Sequence, residues 1–572
     1  MARHVRFISG RRTPEAPTRE GTHGGSLLRA ALVVAVLASY GFSGTGVSSA
    51  HGVAAPTHVK MGGTLVIDNE TGALWDGNFS PFNPGVNGNG INIGIIYESL
   101  IYINVLNGKK TPMLATGYRW SNGNKTLIFT LRQNVKWTDG KPFTAADVAF
   151  TFNLMKKYSA LDLQAVWSVL KSVKQQGNDT VVMSFKVPAV PFFYYIADLD
   201  AIVAQHVWSK IKNPVTYVDK HPVGTGPFML SPSSTPQTIT YVRNPHYWQP
   251  GRPYLSKVLY PAFTSNPPAN LLLAQGKADW GGQFIPNIQT YYIRRDPAHF
   301  HYWFPPDHQV DLWPNLTVKP LNNKLVRQAL AYAIDRQRVS TIGEYGYEPA
   351  SNQTDVLLPT FSNWYDRALA SKYNYTYNPS KAKALLQNAG IKGTLSLSVI
   401  NVGGNTDWVA ALGVIRDNLK QVGINLKIEN LAQNDFFARL YNGRYQLAYN
   451  SGPPPAPSPY YDLRGVLYSA NTAPIGKAAA SNYERWRDAT TDKLIDQFAG
   501  TTSGTQQYGI VHKLEGIMLE QVPVIPVTEG VSWYQYNTTR FTGWPTKQDP
   551  YVDPAPYDYP DTGILLSHVH LK

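Results

Sequence analysis

The sequence predicts an α/β fold, and two stretches in which strand and helix signals alternate support that prediction. Residues 394–429 begin with apolar residues at every second position, continue with helical spacing from Trp408 to Leu419, and end in a second alternating run. This order is typical of the strand–helix–strand crossover from which parallel sheets are built. Residues 126–155 show the order strand, turn and helix, with Asp139-Gly140 as the turn. The chain therefore combines sheets with helices that pack on them.

The helix predicted after this turn has a defined start and one apolar face. Thr144 occupies the position of an N-cap hydroxyl, and Asp147, three residues later, completes the pattern of a capping box. Apolar residues then recur at the spacing of one helical face, at Val148, Phe152 and Met155. We expect a helix that starts at residue 145 and buries this face.

Local signals of the same kind predict two further helices, at 323–339 and 380–389, two strands, at 62–68 and 180–186, and a loop at 453–459. The loop sequence is PPPAPSP, and proline can take no place in a helix interior or in a central ladder. The length of 572 residues suggests about two to four domains.

The composition excludes several classes of protein. There is no cysteine, which removes disulfides, thiolate metal sites, a cysteine nucleophile and the lipid-modified cysteine of bacterial lipoproteins. The formal net charge is +14, but the basic residues are scattered, which argues against a nucleic-acid partner. The 35 tyrosines and 14 tryptophans favour aromatic-lined binding surfaces.

Residues 1–55 are typical of a signal or targeting segment. An arginine-bearing stretch ends at Arg29, an apolar run covers 30–38, and small residues follow up to 48–50 or 53–55. The apolar run is short for a membrane span. We therefore expect export to the periplasm or to the extracellular face of the cell membrane, with an uncleaved N-terminal tether as the alternative.

Several blocks of the chain, in order, resemble one protein family. They are IIYESLIY at 95–102, PMLATGYRW at 112–120, LRQNVKWTDGKPFTAADV at 131–148, HPVGTGPF at 221–228, NPHYWQPGRPYL at 244–255, NKLVRQALAYAIDRQRV at 323–339 and PVIPV at 523–527. Their pattern is similar to that of the extracytoplasmic solute-binding proteins of family 5, the peptide and nickel type, which serve as receptors of ABC importers. The agreement in order is more specific than any single block.

The resemblance implies a two-lobed periplasmic-binding-protein-like fold with an extra subdomain and a cleft between lobes joined by a hinge. It divides the chain into a discontinuous lobe I (62–92, 220–310 and 530–572), an inserted subdomain (93–219) and lobe II (311–529). It also implies a monomer that captures a peptide-like solute in the cleft and delivers it to the membrane subunits of a permease.

No catalytic motif and no cofactor motif was found, so we expect neither an enzyme nor a bound cofactor. Gly-x-Ser-x-Gly, His-Glu-x-x-His, the phosphate loop and Gly-x-Gly-x-x-Gly are all missing. His299, His301 and His308, or His568 and His570, could bind nickel, but without a third ligand of another kind we assign no metal site. A secreted hydrolase and a sensor that does not transport remain as alternatives of a different class.

The nature of the solute depends on a departure from the family. Peptide-binding members carry an aspartate after a strand to pair with the amino terminus, but here the strand 445–449 is followed by Asn450 and the proline run. The loop 401–408 offers amides and an indole, which suit neutral polyhydroxy ligands or peptide backbones; an ordinary loop and helix cap is the alternative. Oligosaccharides and nickel chelates thus stay open beside peptides. By region and side-chain type we predict these ligand-binding residues: Trp75, Asn83, Asn405, Trp408, Tyr449, Asn450 and Tyr461.

Overall fold

Strands and helices alternate along much of the chain, as the sequence predicts. A computed structural model describes residues 59–82, 90–358 and 360–572, which belong to the compact unit His58–Lys572. The predicted signal segment 1–55 lies outside the described residues. In the part that the structure describes, no helix is long and apolar enough to cross a membrane.

The strands are β1 (Thr64–Glu70), β2 (Ile101–Ile103), β3 (Lys110–Pro112), β4 (Ala115–Ser121), β5 (Thr126–Leu131), β6 (Leu170–Gln176), β7 (Thr180–Phe185), β8 (Phe228–Leu230), β9 (Thr238–Arg243), β10 (Lys257–Phe263), β11 (Trp280–Gly281), β12 (Phe300–Tyr302), β13 (Pro306–Pro314), β14 (Leu395–Val402), β15 (Ile424–Leu431), β16 (Leu447–Ser451), β17 (Ile525–Val531), β18 (Gln535–Asn537), β19 (Phe541–Thr542) and β20 (His570–Leu571).

The α-helices are α1 (Ala145–Lys157), α2 (Phe192–Tyr194), α3 (Gln205–Trp208), α4 (Asn266–Ala274), α5 (Ile288–Tyr291), α6 (Lys324–Ala333), α7 (Arg336–Arg338), α8 (Arg367–Tyr373), α9 (Pro379–Asn388), α10 (Thr406–Gln421), α11 (Gln433–Tyr441), α12 (Pro459–Leu467), α13 (Ala489–Gly500), α14 (Gly504–Gln521) and α15 (Asp561–His568).

Two large sheets form the two lobes. The seven-stranded sheet has the order β12-β18-β11-β1-β10-β9-β8, and the five-stranded sheet has the order β15-β14-β16-β13-β17. Between these sheets the described chain crosses from β12 to β13 and returns from β17 to β18. A four-stranded antiparallel sheet, β4-β5-β7-β6, lies between β1 and β8 in the sequence. The chain is thus the two-lobed α/β protein that the sequence predicts, while the residue boundaries of the lobes and subdomain stay a prediction.

The predicted crossover is confirmed as β14, α10 and β15. The two strands are parallel, with Leu395 opposite Ile424, and β16 continues the sheet on the other side of β14. Leu412 and Ile415 of α10 are fully buried in a core that also holds Leu397 and Val399 of β14. Apolar periodicity therefore places the helix on the sheet, which leaves the loop before α10 free to face the other lobe.

The capping box predicted at the start of α1 is also present. The hydroxyl of Thr144 accepts a hydrogen bond from the backbone N–H of Ala146 (3.3 Å), and the Asp147 carboxylate accepts one from the N–H of Thr144 (2.9 Å). Val148, Phe152 and Met155 are buried, as one apolar face requires.

Two of the predicted boundaries are wrong for reasons that the local structure shows. The helix predicted over 323–339 ends at Ala333, because Ile334 is extended and the Asp335 side chain accepts from the N–H of Arg338 to start the short α7. The predicted proline loop is one residue too long, since Pro459 is the first residue of α12, where its fixed φ suits a helix.

The segment His221–Phe228 contains a corner that only glycine can form. A Cβ atom on Gly224 would lie 1.8 Å from the carbonyl oxygen of Ile96, and one on Gly226 would lie 2.4 Å from that of Ile95. The N–H of Gly226 donates to Ile96 O (2.8 Å). The two glycines therefore let backbone approach backbone where the chain returns to the seven-stranded sheet.

Candidate functional site

A cavity of about 380 Å³ lies between the two large sheets. Trp75, Tyr260 and Phe284 line it from the lobe built on the seven-stranded sheet, and Asn405 and Trp408 line it from the start of α10. Its lining also includes Trp533, from the crossover between β17 and β18. We call this space the first cavity. A solute in it touches both lobes and one of the segments that join them.

Aromatic side chains on both walls of the first cavity are held in fixed orientations. Trp75 is 5% exposed, its Nε1 donates to the carbonyl of Tyr260 (2.9 Å), and the two rings meet edge to face at 5.0 Å. On the opposite wall Trp408 meets Tyr449 edge to face at 5.8 Å. Such locked rings can stack on an apolar or sugar face of a solute without a large loss of side-chain entropy.

The first cavity is acidic. Asp407 is 4% exposed, and burial raises the pKa of its carboxyl to about 6. Glu348 accepts a hydrogen bond from the Thr528 hydroxyl (2.6 Å), and burial raises the pKa of Glu348 to about 8. Asp307 and Asp558 complete the acidic lining, and no lysine or arginine occurs among the described residues that line the cavity.

His308 is the basic side chain of this lining. Its Nδ1 lies 2.6 Å from a carboxylate oxygen of Asp307. Burial by itself lowers the pKa of His308, but the charge of Asp307 and this hydrogen bond outweigh it and raise the pKa to about 9. The imidazolium is therefore already paired with Asp307 at neutral pH.

Several polar atoms at the first cavity have no hydrogen-bond donor among the described residues. They are Asn405 Oδ1, Asp407 Oδ1 and Gln433 Oε1, and all three are acceptors on the side of the five-stranded sheet. Buried acceptors are normally satisfied, because an unmet one costs roughly 1–3 kcal/mol. The wall therefore suits a solute that brings hydrogen-bond donors.

A second cavity, of about 260 Å³, is adjacent to the first. The two share Pro453, Pro454, Pro455 and Asp558 in their linings. The lining of the second cavity is rich in aromatic side chains, namely Tyr194, Tyr195, Trp313, Tyr461, Tyr483 and Tyr559. The predicted proline loop thus lies at the boundary between the two cavities.

The structure brings three of the predicted ligand-binding residues to the first cavity: Trp75, Asn405 and Trp408. Tyr461 lines the second cavity, where its hydroxyl donates to the carbonyl of Pro191. Asn83 lies outside the described residues.

Two predicted residues do not reach the wall of either cavity. Tyr449 is fully buried behind Trp408, and Asn450 is 4% exposed, with its amide donating to the carbonyl of Ser451 (2.8 Å). Sequence reasoning missed Asp407, Glu348, Gln433 and Trp533. The sequence carries a signal for Asp407 alone, since this residue stands between Asn405 and Trp408 in one short loop.

The histidine pairs considered for nickel are used for other contacts. His299 lies 2.9 Å from Asp296, and the ring of His301 packs on Tyr536. His568 Nε2 lies 2.9 Å from Arg252 Nη1. In the ranges that the structure describes, the one group of three side chains spaced to hold a metal ion contains no histidine.

Two sheets joined by two crossovers, with a cleft between them, define a two-lobed α/β protein with a candidate binding site at the lobe interface. Residues 109–474 match the family model of the bacterial extracellular solute-binding proteins, family 5, and the chain belongs to this family.

Relatives and solved structures agree with this assignment. The chain is 29% identical over 329 residues to a glutathione-binding protein of Salmonella paratyphi A, an alignment that covers 56% of this chain and 61% of that one. It is 24% identical over 459 residues to a dipeptide-binding protein of Escherichia coli, covering 75% and 83%. The chain thus spans about three-fifths of the length of the glutathione-binding relatives.

The fold is similar to that of a mannohexaose-bound periplasmic oligopeptide-binding protein from Thermotoga maritima. The TM-score is 0.83 at 24% identity, over 89% of this chain and 98% of that one. A peptide-bound, ABC transporter-associated periplasmic binding protein from Helicobacter pylori gives a TM-score of 0.75 at 20% identity, over 90% and 98%.

Proposed function

We propose that this protein is the extracytoplasmic receptor of an ABC importer, which captures a peptide-like solute in the cleft and delivers it to a membrane permease. The observation that carries the proposal is the first cavity, where the two lobes face each other with orphaned acceptors and fixed aromatic rings. Family membership supports the same role.

The mechanism is binding without bond breaking. A solute that contacts Trp75 and Tyr260 on one lobe and Trp408 on the other stabilises the form in which both walls are close. The lobes already touch, since the Asn266 amide donates to the Thr406 hydroxyl (3.3 Å) and the N–H of Ile288 donates to the Tyr347 hydroxyl (2.9 Å). The permease then recognises the closed form. Export to the periplasm or cell surface, and action as a monomer, belong to this proposal.

The chemistry of the first cavity restricts the solute. Its unmet atoms are acceptors, its acidic side chains are carboxyl groups, and its one basic group, His308, is paired with Asp307. A free carboxylate in the first cavity finds no unpaired cation among the described lining residues, whereas an ammonium group finds Asp407. The proposed solute therefore presents an ammonium group there and keeps any carboxylate outside it.

An oligosaccharide is the second candidate. Hydroxyl groups also donate to Asn405, Asp407 and Gln433, and the rings of Trp75 and Trp408 suit sugar faces. The mannohexaose bound by the Thermotoga structure is a precedent for such a ligand on this fold.

Titration calorimetry with matched ligands tests the proposal. We expect a panel of tri- to pentapeptide amides to bind, the same peptides acetylated at the amino terminus to bind at least tenfold more weakly, and mannohexaose to bind weakly. Binding of mannohexaose alone favours the second candidate. Chemical turnover of a bound ligand, measured by mass spectrometry, contradicts the receptor role and revives the hydrolase alternative.

A further inference from the structure

Three carboxylates meet at the junction of the two cavities. Asp307, Asp553 and Asp558 each bring one oxygen atom within 4.8 Å of the others. Asp558 lines both cavities, Asp307 lines the first and Asp553 lines the second. We call these three residues the carboxylate cluster.

The carboxylate cluster joins the segments that connect the two large sheets. Asp307 is in β13, at the end of the crossover from β12. Ser532 is in the other crossover, between β17 and β18, and its hydroxyl oxygen lies 2.9 Å from Asp307 and 3.3 Å from Asp558. Asp553 and Asp558 come from the segment after β19 that leads to α15. Both crossovers and the C-terminal segment therefore converge on one point.

The hydrogen-bond donors around the carboxylate cluster are too few for its oxygen atoms. The Ser532 hydroxyl also contacts Asp553, so three carboxylates surround a group with a single hydrogen atom. His308 pairs with the other oxygen of Asp307. Nearby Asp561 is used by other groups, since its Oδ1 accepts from the Tyr102 hydroxyl (2.5 Å) and from the N–H of Asp553 (2.7 Å).

Asp553 provides an independent indication of a missing partner. It is 1% exposed, and its Oδ2 has no hydrogen-bond partner among the described residues. A buried carboxylate oxygen beside two other carboxylates is costly unless a proton or a cation neutralises it.

We propose that Asp307, Asp553 and Asp558 bind one hard divalent cation, with the Ser532 hydroxyl as a further oxygen ligand. All four ligand atoms are oxygen atoms. Calcium prefers such a ligand set, whereas nickel and zinc do not. Calcium also tolerates irregular coordination by carboxylates on different loops. His308 holds one oxygen of Asp307 and so orients that carboxylate toward the cation.

The cation has a mechanical consequence. It ties the crossover at Asp307 to the crossover at Ser532 and to the C-terminal segment, so it stiffens the connection between the lobes. Asp558, one of its ligands, lines both cavities together with Pro453–Pro455. This inference does not depend on which solute the cleft takes, because the carboxylate cluster is complete without a solute.

The test uses the exported protein, treated with EDTA and then titrated with calcium chloride alone. Calorimetry should detect one site, with a dissociation constant of about 0.1–1 mM, as extracellular calcium modules show. The melting temperature should rise with calcium concentration, because the ion binds the native state. Asp553→Asn should weaken calcium binding at least tenfold, whereas Asp417→Asn, at an exposed site on α10, should leave it unchanged.

Distinct results overturn the proposal. The carboxylate cluster is cation-free if the wild type binds no calcium or manganese up to 10 mM, or if Asp553→Asn raises the melting temperature equally with and without calcium. If a peptide amide raises the melting temperature of the EDTA-treated protein and competes with calcium, the carboxylate cluster binds the ammonium group of the solute and not a divalent cation. Should Asp553→Asn not fold, Asp558→Asn, at a half-buried position, provides the same comparison.

Discussion

Replacing Asp407 by asparagine distinguishes a charged solute from a neutral one. Asp407 lies in the first turn of α10, is 4% exposed, and has one oxygen without a partner at the wall of the first cavity. Asparagine keeps the shape of the side chain and is tolerated near a helix start. The substitution therefore removes a charge from the site and changes little else.

The size of the effect follows from the kind of hydrogen bond that is lost. A bond from an ammonium group to a carboxylate contributes about 1.5–3 kcal/mol and a neutral bond about 0.5–1.5 kcal/mol. We expect Asp407→Asn to weaken the binding of a peptide amide by about 10- to 100-fold, and the binding of an oligosaccharide by about tenfold or less. The loss should appear mainly as faster dissociation.

The pH dependence gives a second, independent measure. With the pKa of Asp407 raised to about 6 by burial, the carboxylate is about one-tenth ionised at pH 5 and about nine-tenths ionised at pH 7. The affinity for a peptide amide should therefore rise about tenfold from pH 5 to pH 7, about 1.4 kcal/mol, and this rise should disappear in Asp407→Asn.

Titration calorimetry at both pH values measures these effects, with Asp417→Asn as the control. Asp417 is on the same helix, but its side chain is 63% exposed and pairs with Arg416. The reasoning is refuted if the control and Asp407→Asn bind a peptide amide equally, or if the affinity of the wild type does not change with pH.

Three further predictions concern stability, each measured by urea unfolding. Glu98 is 1% exposed and accepts a hydrogen bond from Trp248, and burial raises its pKa to about 7. The stability that its protonated form contributes is lost as the pH rises from about 4.5 to 7. Glu98→Gln should therefore remove about 3 kcal/mol of the pH dependence of the free energy of unfolding between pH 4 and pH 8. If the free energy of unfolding of Glu98→Gln depends on pH as in the wild type, Glu98 is not the source of this pH dependence. Gly224→Ala should destabilise by about 3 kcal/mol or more, because its Cβ meets backbone, whereas Gly413→Ala, with open space in α10, should stabilise by about 1 kcal/mol. Asn323→Ala removes the N-cap of α6 and should cost about 1 kcal/mol; no loss means that the cap is dispensable.

Local signals predicted those parts of the fold that depend on neighbours in sequence. The crossover β14, α10 and β15 follows from its periodicities, and the start of α1 follows from Thr144 and Asp147. The break after Ala333 was not predicted, because periodicity continues through a helix end and the cap formed by Asp335 competes with it. The early start of α12 has a similar cause, since a proline that stops one element can begin the next.

The candidate site was only partly predictable for a different reason. Asn405 and Trp408 were identified because one short loop contains them both. Glu348 and Trp533 are distant in sequence, and only the paths of the two crossovers bring them to the same cavity. Tyr449 is predicted from its region and side-chain type, but Leu447 to Asn450 of β16 are all buried, so neither property indicates which of these side chains is accessible.

The most direct test of the receptor role is small-angle X-ray scattering of the protein with and without a saturating ligand from the peptide-amide panel, followed by mass spectrometry of the released ligand. The account predicts a smaller radius of gyration in the complex, because the solute draws Trp75 and Trp408 together across the first cavity, and it predicts that the ligand is recovered intact in a ratio of one to one. An unchanged radius of gyration at saturation, or a ligand that is recovered cleaved, contradicts the account.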